Sequence, residues 1–154
     1  MADVAALSRI RSGATALSAG GSARTLTHFD AGKMIALDTL AGTTITLPTA
    51  TGSGDIFGFV TTVLATSNSH KVQVGNATDV FSGALVVVDN ADATTTTFGC
   101  AAGSDTITLN RGTSGSVKVG GDRFWVQDVA AGFYSVWGVL TGTGGEATPF
   151  SAAV

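Results

Sequence analysis

The chain is built from short runs of β-branched and aromatic residues, each halted within a few positions by Gly, Asn, Asp or Ser. Thr43-Thr44-Ile45-Thr46-Leu47 alternates polar and aliphatic side chains at period two. It stops at Pro48, which has no N–H to give a ladder. Ile56 to Leu64 is the longest such run, and His70-Lys71-Val72-Gln73-Val74 alternates again. Further strands are expected at Leu85–Val88, Thr106–Leu109, Ser116–Val119, Arg123–Asp128 and Phe133–Leu140. The gaps hold Ala41-Gly42, Ser53-Gly54-Asp55, Asn76, Asp89-Asn90 and Gly120-Gly121-Asp122, all turn compositions. Many short strands without a long helical period predict an all-β fold, a single antiparallel β-sandwich or jelly-roll-like domain.

Composition divides the 154 residues into three parts. Residues 1–22 read as an N-terminal arm: Val4, Leu7 and Ile10 recur at a spacing of three, and the segment ends in linker-like Ser18-Ala19-Gly20-Gly21-Ser22. Residues 23–140 form the β-sandwich domain, and 141–154 a C-terminal arm carrying Pro149 and Phe150. Arms of this composition become ordered only where another surface holds them. Val4, Leu7, Ile10, Pro149 and Phe150 are therefore the expected docking contacts on neighbouring chains. A weak internal echo links Ala41–Leu47 to Ala102–Leu109, each followed by an Asp that leads into an aromatic strand.

Little raw material for catalysis is present. The chain has one Cys, two His and 12% charged residues, and its eight Lys and Arg stand against eleven Asp and Glu. A formal charge of −3 argues against nucleic acid as partner, because phosphates demand clustered cations. One cysteine excludes an internal disulfide framework and a multi-thiolate zinc site. The N-terminus lacks the basic and apolar regions of a secretory signal, and no apolar run reaches the roughly 18 residues of a membrane span.

Each chemical motif has a plainer reading. Gly52-Ser53-Gly54 leads into a strand, whereas a phosphate loop needs a helix N-terminus, and Gly142-Thr143-Gly144-Gly145 lacks the lysine. Asp89-Asn90-Ala91-Asp92 clusters oxygen ligands without the glycine turn or bidentate Glu of a calcium loop. Thr94–Thr97 reads as a polar edge strand or loop wall. His28 and His70 lie in turn compositions, no Gly-x-Ser-x-Gly elbow occurs, and Cys100 has no basic neighbour to activate it. The acids, spread singly over turns, read as solvated. No enzyme activity, cofactor or metal is expected. Trp125 and Trp137 are expected as core or subunit-interface anchors, with a sugar-stacking platform as the alternative.

Several segments together carry a family likeness: Leu26-Thr27, Gly32–Asp38, Ile45-Thr46-Leu47-Pro48, Gly52-Ser53-Gly54-Asp55, Asp105–Asn110, Gly142-Thr143-Gly144 and Ala147-Thr148-Pro149-Phe150. In these the chain resembles small virion proteins of tailed bacteriophages, most nearly capsid decoration (cement) proteins. The likeness spans most of residues 24–150 in style and rests on compositional motifs. It implies a β-rich, non-enzymatic protein, often a homotrimer, on the outside of an icosahedral head, where it bridges major capsid subunits. No membrane or nucleic-acid contact is implied, and no active residues carry over. Tail-fibre or spike modules that bind a host glycan share the same strand vocabulary.

Overall fold

The computed structural model describes residues 17–154. Twelve strands follow in chain order: β1 (Leu17–Ala19), β2 (Ala23–Thr25), β3 (Met34–Leu37), β4 (Thr44–Thr46), β5 (Ile56–Thr61), β6 (His70–Gln73), β7 (Val80–Asp89), β8 (Thr95–Gly99), β9 (Thr106–Leu109), β10 (Arg123–Ala130), β11 (Phe133–Gly142) and β12 (Phe150–Ser151). The helical content of the described residues is a single 3-10 turn, His28–Asp30. Two sheets face each other as a β-sandwich, one of seven strands in the order β1-β3-β5-β10-β11-β7-β8 and one of five in the order β12-β9-β6-β4-β2.

The all-β, two-sheet architecture is the expected one, but both sheets are mixed where antiparallel pairing was expected. From β1 to β6 the chain changes sheet at every turn, so each strand pairs with the strand two places along. β1, β3 and β5 run parallel, as do β2, β4 and β6. The crossover that a parallel pair requires is supplied by the intervening strand in the opposite sheet. Antiparallel hairpins enter later, at β7–β8 and β10–β11, while β11 lies parallel to β7. Of the expected strands only Ser116–Val119 is absent. Ser116 sits at φ 62° beside Gly115 at φ 111°, a bend no strand follows.

Period-two alternation decides what lies between the sheets. Ile35, Leu37, Phe57, Phe59, Phe124, Val126, Tyr134, Val136 and Leu140 project inward from the large sheet, meeting Ile45, Val72, Ile107 and Leu109 from the small one. Phe59 and Phe124 stack with centroids 5.0 Å apart, and the Tyr134 hydroxyl donates to the Pro48 carbonyl at 2.7 Å. Gly138 makes a close approach: a Cβ there would lie 2.4 Å from the Cα of Phe124, its partner across β10 and β11. At one end of the core Arg24 donates to Asp30 at 2.6 Å and to the Ala19 carbonyl at 2.6 Å, tying β2 to β1.

The C-terminal segment is part of the sandwich and no projecting arm. β11 continues to Gly142, and the Thr108 N–H donates to the Pro149 carbonyl. β12 then closes the edge of the small sheet against β9. Phe150 is only 7% exposed and belongs to the chain's own core, while the Ala153 and Val154 N–H groups donate to Asp105. Burying one aromatic ring outweighs the entropy of fixing a short tail, so the chain holds its own end. At the other end, Leu17–Ala19 of the expected N-terminal arm is already a strand. Val4, Leu7 and Ile10 lie outside the described residues.

The acids also depart from expectation. Asp30, Asp79, Asp89, Asp105, Asp122 and Asp128 are buried, and all but Asp105, which holds the C-terminal tail, accept hydrogen bonds from turns between strands. Asp128 takes the N–H groups of Thr51, Gly52 and Ser53 at 2.6–3.1 Å together with the Ser53 hydroxyl at 2.8 Å. Asp79 accepts from the Ala50 N–H, Asp89 from Gly144, and Asp122 from both Ser116 and Thr141. A turn that jumps between sheets leaves N–H groups without a ladder partner, and a short anionic acceptor satisfies several at once.

Burial raises the Asp128 carboxyl, but the N–H donors of Thr51, Ser53 and Gly52 outweigh it and bring it down to about 2. Burial prevails at Asp122 and pushes that carboxyl up. A carboxyl lowered by folding contributes stability above its ordinary value of 3.8, and that contribution disappears as pH falls through the folded value. Urea unfolding followed against pH should therefore show a loss between about pH 4 and 2 that Asp128→Asn flattens. Asp128→Ala, which strands several buried donors, should cost about 3 kcal/mol at pH 7. Phe150→Ala should cost about 3 kcal/mol in the same measurement; a cost below about 0.5 kcal/mol would mean the C-terminal strand is not docked.

Candidate functional site

The alternation that fills the core sends the other side chains of the large sheet to its outer face. Registered pairing aligns one row there: Leu17, Met34, Gly58, Trp125, Trp137 and Ala84, on six successive strands. The adjacent row carries Ala36 and Val60, both buried, then Arg123, Val139, Val86 and Thr97. Trp125 and Trp137, directly opposed on β10 and β11, stack with centroids 6.3 Å apart and planes 14° from parallel. Five of the ten exposed large apolar side chains among the described residues, Leu17, Ile56, Phe133, Trp137 and Val139, belong to this face. Trp137 is 40% exposed.

Beside the tryptophans is a small hollow of about 80 Å³, lined by Lys33, Met34, Ile56, Gly58 and Trp125. Gly58 makes it. A Cβ at that position would lie 2.9 Å from Met34 Cε and 3.1 Å from Trp125 Nε1, so its absence leaves the floor open between two side-chain tips. Neither indole N–H donates to an acceptor among the described residues. Charge is nearly absent from the face. Arg123 is exposed, with no hydrogen bond or ion pair among the described residues, and no acid stands in these rows. Lys33 at the rim donates to Asp30 at 2.8 Å.

Trp125 and Trp137 thus lie outside the hydrophobic core, on the solvent side of the sheet. Of the expected docking contacts, Phe150 and the buried Pro149 face inward. Met34, Gly58 and Arg123 went unremarked in the sequence, yet a signal was present. In β10 and β11 both parities are apolar, with Phe124 and Val126 alternating with Trp125, and Val136 and Leu140 alternating with Trp137 and Val139. Strands apolar on both parities are those covered on both faces; here the outer face is covered at Ala36 and Val60 and open at Trp137 and Val139.

The groups weighed for chemistry are dispersed. His70 is fully buried, with Nδ1 accepting from the Thr43 N–H at 3.0 Å and Nε2 donating to the Val63 carbonyl at 2.8 Å. Both ring nitrogens are engaged by backbone, and burial holds the imidazole below its ordinary value. His28 pairs with Asp55 at the surface. Cys100 is half-buried against the core, and burial pushes its thiol up to about 11, far from thiolate reactivity at pH 7. Asp89 and Asp92 accept from the N–H groups of Ala91 and Thr94 in local turns. Among the described residues no three His, Cys, Asp or Glu side chains are grouped to hold a metal, and no helix is long and apolar enough to cross a membrane.

No protein-family model matches the chain, and no curated protein or solved structure is significantly similar to it.

Proposed function

We propose that this chain is a non-enzymatic building block of a virus particle, a decoration protein that cements the outside of a tailed-bacteriophage head by docking onto its major capsid protein. The observation that carries the reading is the apolar outer face of the seven-stranded sheet, centred on the Trp125–Trp137 stack and open among the described residues at Leu17, Trp137 and Val139. Exposed apolar patches of this extent mark interaction sites. Seven strands at about 4.8 Å spacing make a face about 30 Å wide. Over an average strand run of about 20 Å, that is about 600 Å², close to the roughly 800 Å² a stable interface takes from one partner. Stacked tryptophans at the middle of such a face suit the role of anchoring hot spots. The sparse charge of the chain and its likeness in style to cement proteins support the same reading.

The mechanism is linkage. A protein that binds the mature shell and not its disassembled subunits stabilises that shell by an amount set by its affinity and concentration. Little reorganisation is needed, because a sheet face is rigid before binding.

Co-sedimentation with undecorated, expanded heads of the phage that carries this chain is the direct test. Saturable binding and an increased temperature of DNA release are expected. Trp137→Arg, on the open face and outside the core, should weaken binding at least tenfold while shifting the unfolding midpoint by no more than a few degrees. Absence of head binding, together with specific retention on a glycan array that requires Trp125 or Trp137, would replace this reading with that of a host-glycan module.

A further inference from the structure

Resting on the docking role of the outer face, we infer that its partner is a foreign protein segment offering a Val or Leu side chain to the hollow at Gly58 and, about two residues further along, a carboxylate to Arg123. The hollow sets the first element. At about 80 Å³ it is roughly half the 150 Å³ cavity that accepts benzene, a size for three or four aliphatic carbons and too small for an aromatic ring or a hexose. The thioether of Met34, the side chain of Ile56 and the ring of Trp125 give it apolar walls, while Lys33 and the backbone of Gly32 make its rim polar. The Trp125 N–H at its edge, free of an acceptor among the described residues, is placed for a backbone carbonyl of the incoming segment.

Arg123 sets the second element. It stands two residues from Trp125 on β10, with both side chains on the outer face, so the two positions are about 6.7 Å apart along the strand. An extended segment presents residues i and i+2 on one face at the same spacing. An aliphatic residue and an Asp or Glu at that interval match the hollow and the cation together.

Charge also argues against a second copy of this chain as occupant. The outer rows contain Arg123 and no acid, because six of the eleven acids are buried in the molecule's own turns. Two such faces pressed together would bury two guanidinium groups with no anion between them, an arrangement that is strongly unfavourable.

Short peptides probe this in the full-length protein. A Gly-Thr-Leu-Thr-Asp-Thr-Gly peptide with blocked ends, and variants carrying Ala for Leu or Lys for Asp, would be titrated while the Trp125 and Trp137 indole N–H resonances are followed. Saturable movement of the Trp125 signal is expected with the parent peptide, weakened at least fivefold by either replacement. Gly58→Ala should abolish it: the added methyl meets the flexible end of Met34 and the edge of the Trp125 indole, side chains of the outer face and not of the core, and an unfolding midpoint within a few degrees of the wild type would verify that the fold is kept. Arg123→Glu should reverse the preference from Asp to Lys.

Equal binding of the Asp and Lys peptides, undiminished binding by Gly58→Ala, or no movement of the Trp125 signal would overturn the inference. So would concentration-dependent dimerisation that Trp137→Arg abolishes, which would assign the face to a second copy. The docking reading is judged separately on heads. If Gly58→Ala binds heads normally while Trp137→Arg does not, the cement role stands and only the proposed occupant is wrong. If the wild-type chain ignores heads but selects the Leu–Asp peptide, the cement role falls and the occupant stands.

Discussion

Between β1 and β6 the backbone crosses from one sheet to the other at every turn, and this winding governs the rest of the molecule. A hairpin turn has its first and last residues joined in one ladder, but a turn that arches across the core has no such partner. Its N–H groups are left near the rim of an apolar interior, where an unmade hydrogen bond costs more than a made one contributes. Aspartate answers this constraint because a short side chain with two anionic oxygens can collect several donors. Asp128 gathers the turn before β5, and Asp79 reaches Ala50 in the turn after β4. Asp122 applies the same chemistry in the later half, where it joins the bend at Ser116 to Thr141 of β11. The low overall charge of the chain and the burial of its acids are therefore connected: much of the charge present is internal scaffolding.

Strand positions were legible because period two is a local property. Thr44–Thr46, Ile56–Thr61, His70–Gln73 and Thr106–Leu109 lie within or match the alternating runs of the sequence. Pairing direction was not legible, because glycine-rich arches and glycine-rich hairpins have the same composition. Gly52-Ser53-Gly54 looks like a hairpin turn, yet the strands on either side of it, β4 and β5, lie in different sheets. The echo between residues 41–47 and 102–109 acquires a structural meaning here. β4 and β9 flank β6 in the small sheet, and the strands they lead to, β5 and β10, are antiparallel neighbours in the large one. Phe59 and Phe124, which stack in the core, come from those two neighbours.

The residues of the outer face were legible to different degrees. Trp125 and Trp137 drew notice as large aromatics, but their being opposed on one rung depends on the register of β10 with β11. Met34 and Gly58 are remote from them in sequence and join the row only through the parallel pairing of β3 with β5. Phe150 misled for the opposite reason. Its neighbourhood has linker composition, and only the vacancy beside Ile107 at the sheet edge, a tertiary feature, explains why it folds inward.

Charge seen from outside differs from charge counted along the chain. Among the described residues, Asp38, Asp55, Asp92 and Glu146 are the acids left outside the buried set, while Arg24 and Lys33 are tied to Asp30. Lys71, Arg111, Lys118 and Arg123 remain, so the described residues set four acids, Glu146 only in part, against four cations on the solvent side. A nearly neutral exterior has little long-range attraction to offer a partner, and association then depends on short-range fit. That places the burden on shape and burial at the large sheet. A single unpaired guanidinium set among apolar side chains is suited to fixing the register of a partner more than to drawing it in from a distance. The same sheet whose inner face organises the core presents on its outer face an already rigid surface, so the cost of ordering it has been met by folding itself.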